Sequence, residues 1–238
     1  MKLLCLIAFS WAGTLLAAQS GQAAELSLSA AVEQGKAAVK ITGRGYSSGD
    51  ALQLKVRNKT SAALNLKIEP GMVLVDLNAQ AKCQTMVAYG VRWQWGVQAK
   101  AWARCDSITV SGSADHYFIL EGYCRDSKLP SPKAANVFTL TKPDEACLKV
   151  LVEAKQTDCT PKIIQAAIWI ARDNVQDTFL TGNFHCSNLE VKAARSLMEV
   201  VNATAAQVLT QRRETLAGLL KEVQVQIEAN AQAGTPVP

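Results

Sequence analysis

Few residues of this sequence could do chemistry. They are seven cysteines, two histidines and a cluster of tryptophans flanked by cations. Cys5 falls inside an N-terminal apolar run, which leaves Cys83, Cys105, Cys124, Cys147, Cys159 and Cys186. An even set of thiols in an exported chain predicts a disulfide framework, although six cysteines allow fifteen pairings. Local spacing favours Cys83–Cys105, Cys147–Cys159 and Cys124–Cys186. The first would close the aromatic stretch described next, at a gain of about 3 kcal/mol by loop closure. The second would tie two consecutive helices, and the third would tie sheet to helices. His116 and His185 stand far apart, and His185-Cys186 is not a zinc spacing. No metal or other cofactor is predicted. No Ser/His/Asp arrangement with a nucleophile elbow can be assembled. Asp144-Glu145 reads as helix-dipole complementarity rather than as an acid/base pair.

The densest group of binding-type residues lies between Tyr89 and Arg104. Val91, Trp93, Trp95, Val97, Ala99, Ala101 and Ala103 take odd positions; Arg92, Gln94, Gln98, Lys100, Trp102 and Arg104 take even ones. This alternation predicts one long strand, or a hairpin bent near Gly96. Arg92, Trp93, Trp95, Lys100, Trp102 and Arg104 are therefore candidate ligand-binding residues, an aromatic and cationic patch suited to a sugar, a peptide or a partner chain. The competing reading has Trp93 and Trp95 capping the core.

A second constellation joins Tyr123-Cys124-Arg125-Asp126, at a strand end, to Ile164-Gln165-Ala166-Ala167-Ile168-Trp169, on a helix. The two blocks resemble motifs of the thioester domains of bacterial surface adhesins, which have a Tyr/Phe/Leu-Cys block and a Thr-Gln-x-Ala-apolar-Trp block. Ile164 stands where that family has Thr. The resemblance covers about residues 117–174. It implies that Cys124 would bond through sulfur to a glutamine carbonyl, giving an electrophile that captures amines, with Gln165 in the supporting helix motif. The family's bond-forming glutamine lies in a third block nearer the C-terminus. No version of that block is found here; Gln176, Gln207 and Gln224 are the glutamines weighed for it. A bridged Cys124 and a thioester Cys124 exclude each other.

The elements that must position these residues follow from periodicity. Leu52, Leu54 and Val56, then Leu64, Leu66 and Ile68, alternate with polar residues around Asn58-Lys59-Thr60-Ser61, which predicts a hairpin. Strands are also predicted at Leu26–Leu28, Ala38–Thr42, Met72–Val75 and Gln84–Tyr89, and a second hairpin joins Ser107–Val110 to Tyr117–Tyr123. The loop Gly43–Asp50 is followed by a strand, not a helix, so its glycines read as turn chemistry. Regular strands without intervening helices predict an antiparallel immunoglobulin-like β-sandwich over residues 24–126. A helical segment packed on it follows at 127–186, with Thr160-Pro161 opening one helix. Ser187-Asn188-Leu189-Glu190 is a capping box that begins a long amphipathic helix over 187–230, suited to self-association or partner docking. Residues 231–238 are expected as a disordered tail. The fold class is α+β.

Hydrophobic residues make up 49% and charged residues 19% of 238, a globular balance. The formal charge of +5 comes from scattered Lys and Arg. Nothing resembles the basic block of a nucleic-acid binder, so no nucleic-acid partner is expected. Met1-Lys2, an apolar stretch from Leu3 to Ala18 and Gly21-Gln22-Ala23 read as a secretory signal over residues 1–23. No second apolar span follows, so no integral membrane segment is expected after cleavage. These features predict an exported bacterial, non-enzymatic binding or structural protein, secreted, periplasmic or on the cell surface. A protein or glycan at the envelope would be its partner. The alternative is a thioester-type covalent adhesin.

Overall fold

A computed structural model describes residues 25–78 and 83–233. The expected signal, residues 1–23, and positions 234–238 of the expected tail lie outside the described residues. In chain order the elements are β1 Leu26–Ser27, α1 Leu28–Glu33, β2 Ala37–Gly43, β3 Leu52–Asn58, β4 Leu64–Lys67, β5 Met72–Asp76, β6 Met86–Gly96, β7 Ala101–Arg104, β8 Ile108–Val110, β9 Asp115–Cys124 and β10 Val137–Pro143. Five further helices follow: α2 Glu145–Gln156, α3 Pro161–Asp173, α4 Asp177–Gly182, α5 Asn188–Val201 and α6 Ala206–Gln232.

The main sheet is a closed antiparallel barrel and not an immunoglobulin-like sandwich. Its six strands run β5-β10-β2-β3-β9-β6, and β6 returns to pair with β5 through Val73↔Val87 and Leu74↔Met86. Closure satisfies both edges that a sandwich would leave open. Ile41, Leu52, Leu54, Val56, Leu74, Met86, Phe118 and Leu120 fill the interior. Wall and filling are tight at Gly122, where a Cβ would lie 2.5 Å from Leu52 Cδ1. A second, three-stranded sheet, β1-β4-β8, shares no ladder with the barrel but packs into the same core.

Neither the hairpin expected around Asn58 nor the one expected between residues 107 and 123 forms. β3 pairs with β2 and β9, whereas β4 pairs with β1 and β8. The cause lies in the turn. Asn58 is buried, and its amide donates to the carbonyls of Ala62 (2.7 Å) and Val110 (3.2 Å) while its oxygen accepts from the Thr60 N–H (2.8 Å). This side chain takes the place of ladder bonds and steers the chain out of the barrel. Leu28 likewise begins a helix rather than extending a strand, because the Ser27 hydroxyl caps it by accepting from the Ala30 N–H at 3.1 Å. The boundary expected at residue 126 also moves. β10, inside the segment expected to be helical, pairs with β2 and β5 and closes the barrel.

The expected helix over 187–230 is two helices. The capping box at Ser187 is present, but α5 ends at Val201, and Asn202 to Ala205 turn the chain before α6 begins. Arg212 reaches back to the Glu199 carbonyl at 2.6 Å and satisfies an otherwise orphan acceptor of α5. α6 runs on to Gln232, two residues into the expected tail. Its stripe of Leu209, Leu216, Leu219, Leu220, Val223 and Ile227 packs on the core of its own chain. Arg213 fixes it with two charged hydrogen bonds to Glu153, 2.7 and 2.8 Å. Among the described residues no helix is long and apolar enough to cross a membrane.

No disulfide forms among the described residues; all six cysteines there are free thiols. The expected pairs are kept apart by the elements that carry them. Cys147 lies in the first turn of α2 and Cys159 beyond its end, with roughly 14 Å of helix between Cys147 and that end. Cys83 precedes β6, while the Cys105 N–H bonds the carbonyl of Arg92 well along it, roughly 20 Å of strand away. Cys124 Sγ rests 3.5 Å from Met86 Sδ, and Cys186 is tied to the Leu180 carbonyl at the start of α5.

Candidate functional site

β6 is where the barrel departs from regularity, and the departures make a site. Its pairing with β9 slips twice. Ala88 faces Gly122 and Gly90 faces Glu121, so Tyr89 is an extra residue; Val91 faces Leu120 and Trp93 faces Ile119, so Arg92 is a second. Each bulge re-aims a side chain that strict alternation would send elsewhere. Tyr89 and Arg92 both turn into a groove of about 870 Å³ between the barrel and the corner joining α2 to α3. Glu121 lies in its wall beside them, with Cys105 and Asp106 on one flank, Asp158 and Cys159 on the other, and Ile164 beneath.

Charge is concentrated at Arg92. Its Nη1 lies 3.6 Å from Asp50 Oδ1 and 3.7 Å from Glu121 Oε2, ion-pair distances too long for hydrogen bonds. Glu121 is 8% exposed, and its Oε1 accepts from the Tyr123 hydroxyl. Asp50 Oδ2 accepts from the Trp93 indole N–H at 2.8 Å, while Asp50 Oδ1 has no hydrogen-bond partner among the described residues. Burial, reinforced by the charge of Glu121, pushes the hydroxyls of Tyr89 and Tyr123 well above the ordinary tyrosine range, so both stay protonated donors. Tyr89 meets Tyr123 edge to face at 6.4 Å.

The aromatic patch is a hairpin, turned after Gly96. The turn sets Trp95 opposite Trp102 and Trp93 opposite Arg104, so residues of odd and even number share one face. Trp95 and Trp102 meet edge to face at 5.4 Å, and the Arg104 guanidinium covers the Trp93 ring at 5.6 Å. Trp102 is 37% exposed; Trp93 and Trp95 are half-buried. Of the six residues singled out in the sequence, Arg92 and Arg104 line the groove. Trp93 stands behind Arg92 through Asp50, Trp95 and Trp102 form the projecting ribbon, and Lys100 sits in the turn with φ 50°.

Cys124 and Gln165, 41 residues apart, also meet. The Gln165 carboxamide accepts from the Cys124 N–H at 2.8 Å and donates to the Cys124 carbonyl at 2.6 Å. Both residues are fully buried, and burial pushes the Cys124 thiol up to about 12. Its sulfur faces Met86 rather than an amide. Gln165 therefore completes the end of β9 as a further strand would, and docks α3 onto the barrel. Burial raises both groove thiols, Cys105 and Cys159, the latter to about 11. Among the described residues no group of three metal-ligating side chains occurs.

Sequence reasoning named Tyr89 only as the edge of the patch and Tyr123 only within the thioester-like block, and it passed over Glu121 and Asp50 as site residues. Glu121 carried a readable signal, as the lone carboxylate in the apolar run Phe118-Ile119-Leu120-Glu121-Gly122-Tyr123. A charge there has to find a partner. The bulges that deliver Tyr89 and Arg92 leave no mark in composition. Comparison of the chain with protein-family models, curated proteins and solved structures gave no match.

Proposed function

We propose that this chain is a non-enzymatic binding protein of the cell envelope or extracellular space, with the β6 groove and the adjoining tryptophan ribbon as its binding surface. The carrying observation is that both bulges of one strand spend their extra residue, Tyr89 and Arg92, on the same open groove. A volume near 870 Å³ falls within the range of ligand pockets. Export is supported by the composition of residues 1–23. The test is a ligand screen on the mature protein, by array binding and tryptophan fluorescence, with and without Tyr89→Ala combined with Arg92→Leu. Binding that the double change abolishes supports the reading. Binding that survives it, or maps to another face, removes the groove from consideration. Cell fractionation tests the location.

A second reading, a covalent thioester adhesin working through Cys124, is favoured by the meeting of Cys124 with Gln165 and opposed by the contact of its sulfur with Met86. The intact mass of the mature protein separates the two. A mass lower by one ammonia, with an amine adduct mapping to a glutamine, marks the thioester; six alkylatable thiols exclude it.

A further inference from the structure

We infer that the groove takes a neutral, polyhydroxylated chain, an oligosaccharide without acidic groups; this rests on the binding reading above. The first observation is the hydrogen-bonding state of the central pair. Arg92 approaches its two carboxylates only at 3.6 and 3.7 Å, so its N–H donors are largely unspent. Glu121 commits Oε1 to Tyr123 and leaves Oε2 on the groove side. A donor fork and an acceptor oxygen thus lie side by side. A vicinal pair of sugar hydroxyls suits them, because each hydroxyl donates and accepts at once. A carboxylate or phosphate ligand could use the fork, but would meet Glu121 Oε2 with no proton to offer it.

The second observation is charge. Arg92 is already flanked by Asp50 and Glu121, so the centre of the site is net negative. Around it the cations Lys67, Arg104 and Lys155 face the carboxylates Asp106 and Asp158. The lining as a whole is close to neutral, and it gives an anionic chain no long-range attraction. The third is the aromatic surface. Tyr89 lines the groove, and Trp95 and Trp102 continue from its rim as a ribbon. Aromatic rings supply rigid apolar surface for the C–H faces of sugar rings while the hydroxyls reach polar partners.

The experiment titrates the mature protein with three sets of probes. These are short neutral hexose and N-acetylhexosamine oligomers, the same backbones bearing carboxylate or sulfate, and short basic peptides, each at low and at high salt. The expected result is binding of a neutral oligomer that salt leaves unchanged and that Glu121→Gln and Arg92→Lys each weaken about tenfold. Circular dichroism and thermal unfolding confirm that both variants fold. A preference for acidic oligomers or peptides that weakens with salt, yet still depends on Arg92, overturns the inference and leaves the groove as the site. Binding indifferent to both substitutions, or no binding to any probe, overturns the inference. The first of these two results also removes the groove from the proposed function.

Discussion

Two places in this protein hold residues capable of chemistry, and they are built in opposite ways. At the junction of β9 and α3, Cys124 and Gln165 are fully buried, and both ends of the carboxamide are hydrogen-bonded to one residue's main chain. At the β6 groove, Arg92 reaches its carboxylates only at ion-pair distance, and one oxygen of Asp50 has no hydrogen-bond partner among the described residues. The junction has nothing left to offer a ligand, and the groove has several polar groups to spare. Residue type alone would have favoured the junction, because a cysteine beside a glutamine suggests a reaction. Hydrogen-bond satisfaction and access favour the groove. A buried polar pair that is complete acts as a fastener, and an incomplete pair at an opening is available for recognition.

If that contrast is sound, the junction should dominate stability. Gln165→Leu strands the buried Cys124 carbonyl and leaves the Cys124 N–H only its shared bond to the Ser47 carbonyl at 2.8 Å, and should cost about 3 kcal/mol in urea unfolding, roughly 2 kcal/mol for the orphaned carbonyl and roughly 1 kcal/mol for the lost half of the shared N–H bond. A cost below about 1 kcal/mol would mean that the clamp is not what joins α3 to the barrel. Gly122→Ala comes next, at about 2 kcal/mol from overpacking against Leu52, since the new methyl would lie 2.5 Å from Cδ1. Leu52→Ala should recover part of that loss in the double variant if the contact is the cause.

The two regions also differ in how far the sequence disclosed them. Period-two alternation found β2, β3, β5, β6 and β9 because it reports which side chains are buried. It carries no information on which strand lies alongside. The Asn58 turn resembled an ordinary hairpin corner, and only in three dimensions does its side chain bond Val110 and send β4 to another sheet. β10 was passed over because it stands alone between a proline-rich stretch and helices. Closure of the barrel depends on that one strand, so missing it turned a barrel into a sandwich. Cys124 and Gln165 were legible as motifs, though what each would touch was not. Arg92 and the tryptophans were legible by type. Their grouping was not, because a bulge shifts the alternation by one residue and the turn after Gly96 reverses it.

A half-buried ion-pair cluster tests the fastener idea through pH. Burial alone would raise the Asp144 carboxyl. The Cys147 N–H, Arg172 and Arg125 together outweigh burial and hold it below the usual aspartate value. Asp144 caps α2, and its Oδ2 lies 2.9 Å from Arg125 and 3.1 Å from Arg172. A carboxyl whose folded value is depressed adds stability that is complete above its unfolded value, about 4, and is lost as pH falls through the folded value. Asp144→Asn keeps a competent cap and removes the charge. It should lower stability by about 1 kcal/mol at pH 6, the difference between a charged and a neutral hydrogen bond, and the deficit should shrink as pH falls below the unfolded value. A pH-independent deficit would assign the effect to lost hydrogen-bond geometry instead.

The smallest effect on stability should come from the groove, and there the contrast is most exposed to failure. Arg92 is partly solvent-exposed and holds its carboxylates only at 3.6 and 3.7 Å. Such pairs contribute little, so Arg92→Leu should change unfolding by less than about 1 kcal/mol. Ligand affinity, where the screen finds a ligand, should fall far more than stability does, because the guanidinium is the unspent donor of the site. Gln165→Leu should show the reverse: a large loss in unfolding, and unchanged affinity in whatever fraction remains folded. If Arg92→Leu instead destabilised the protein as much as Gln165→Leu, the bulge at Arg92 would be a structural fastener like the Cys124 clamp. The groove would then be a consequence of packing, and the tryptophan ribbon alone would remain as a binding surface.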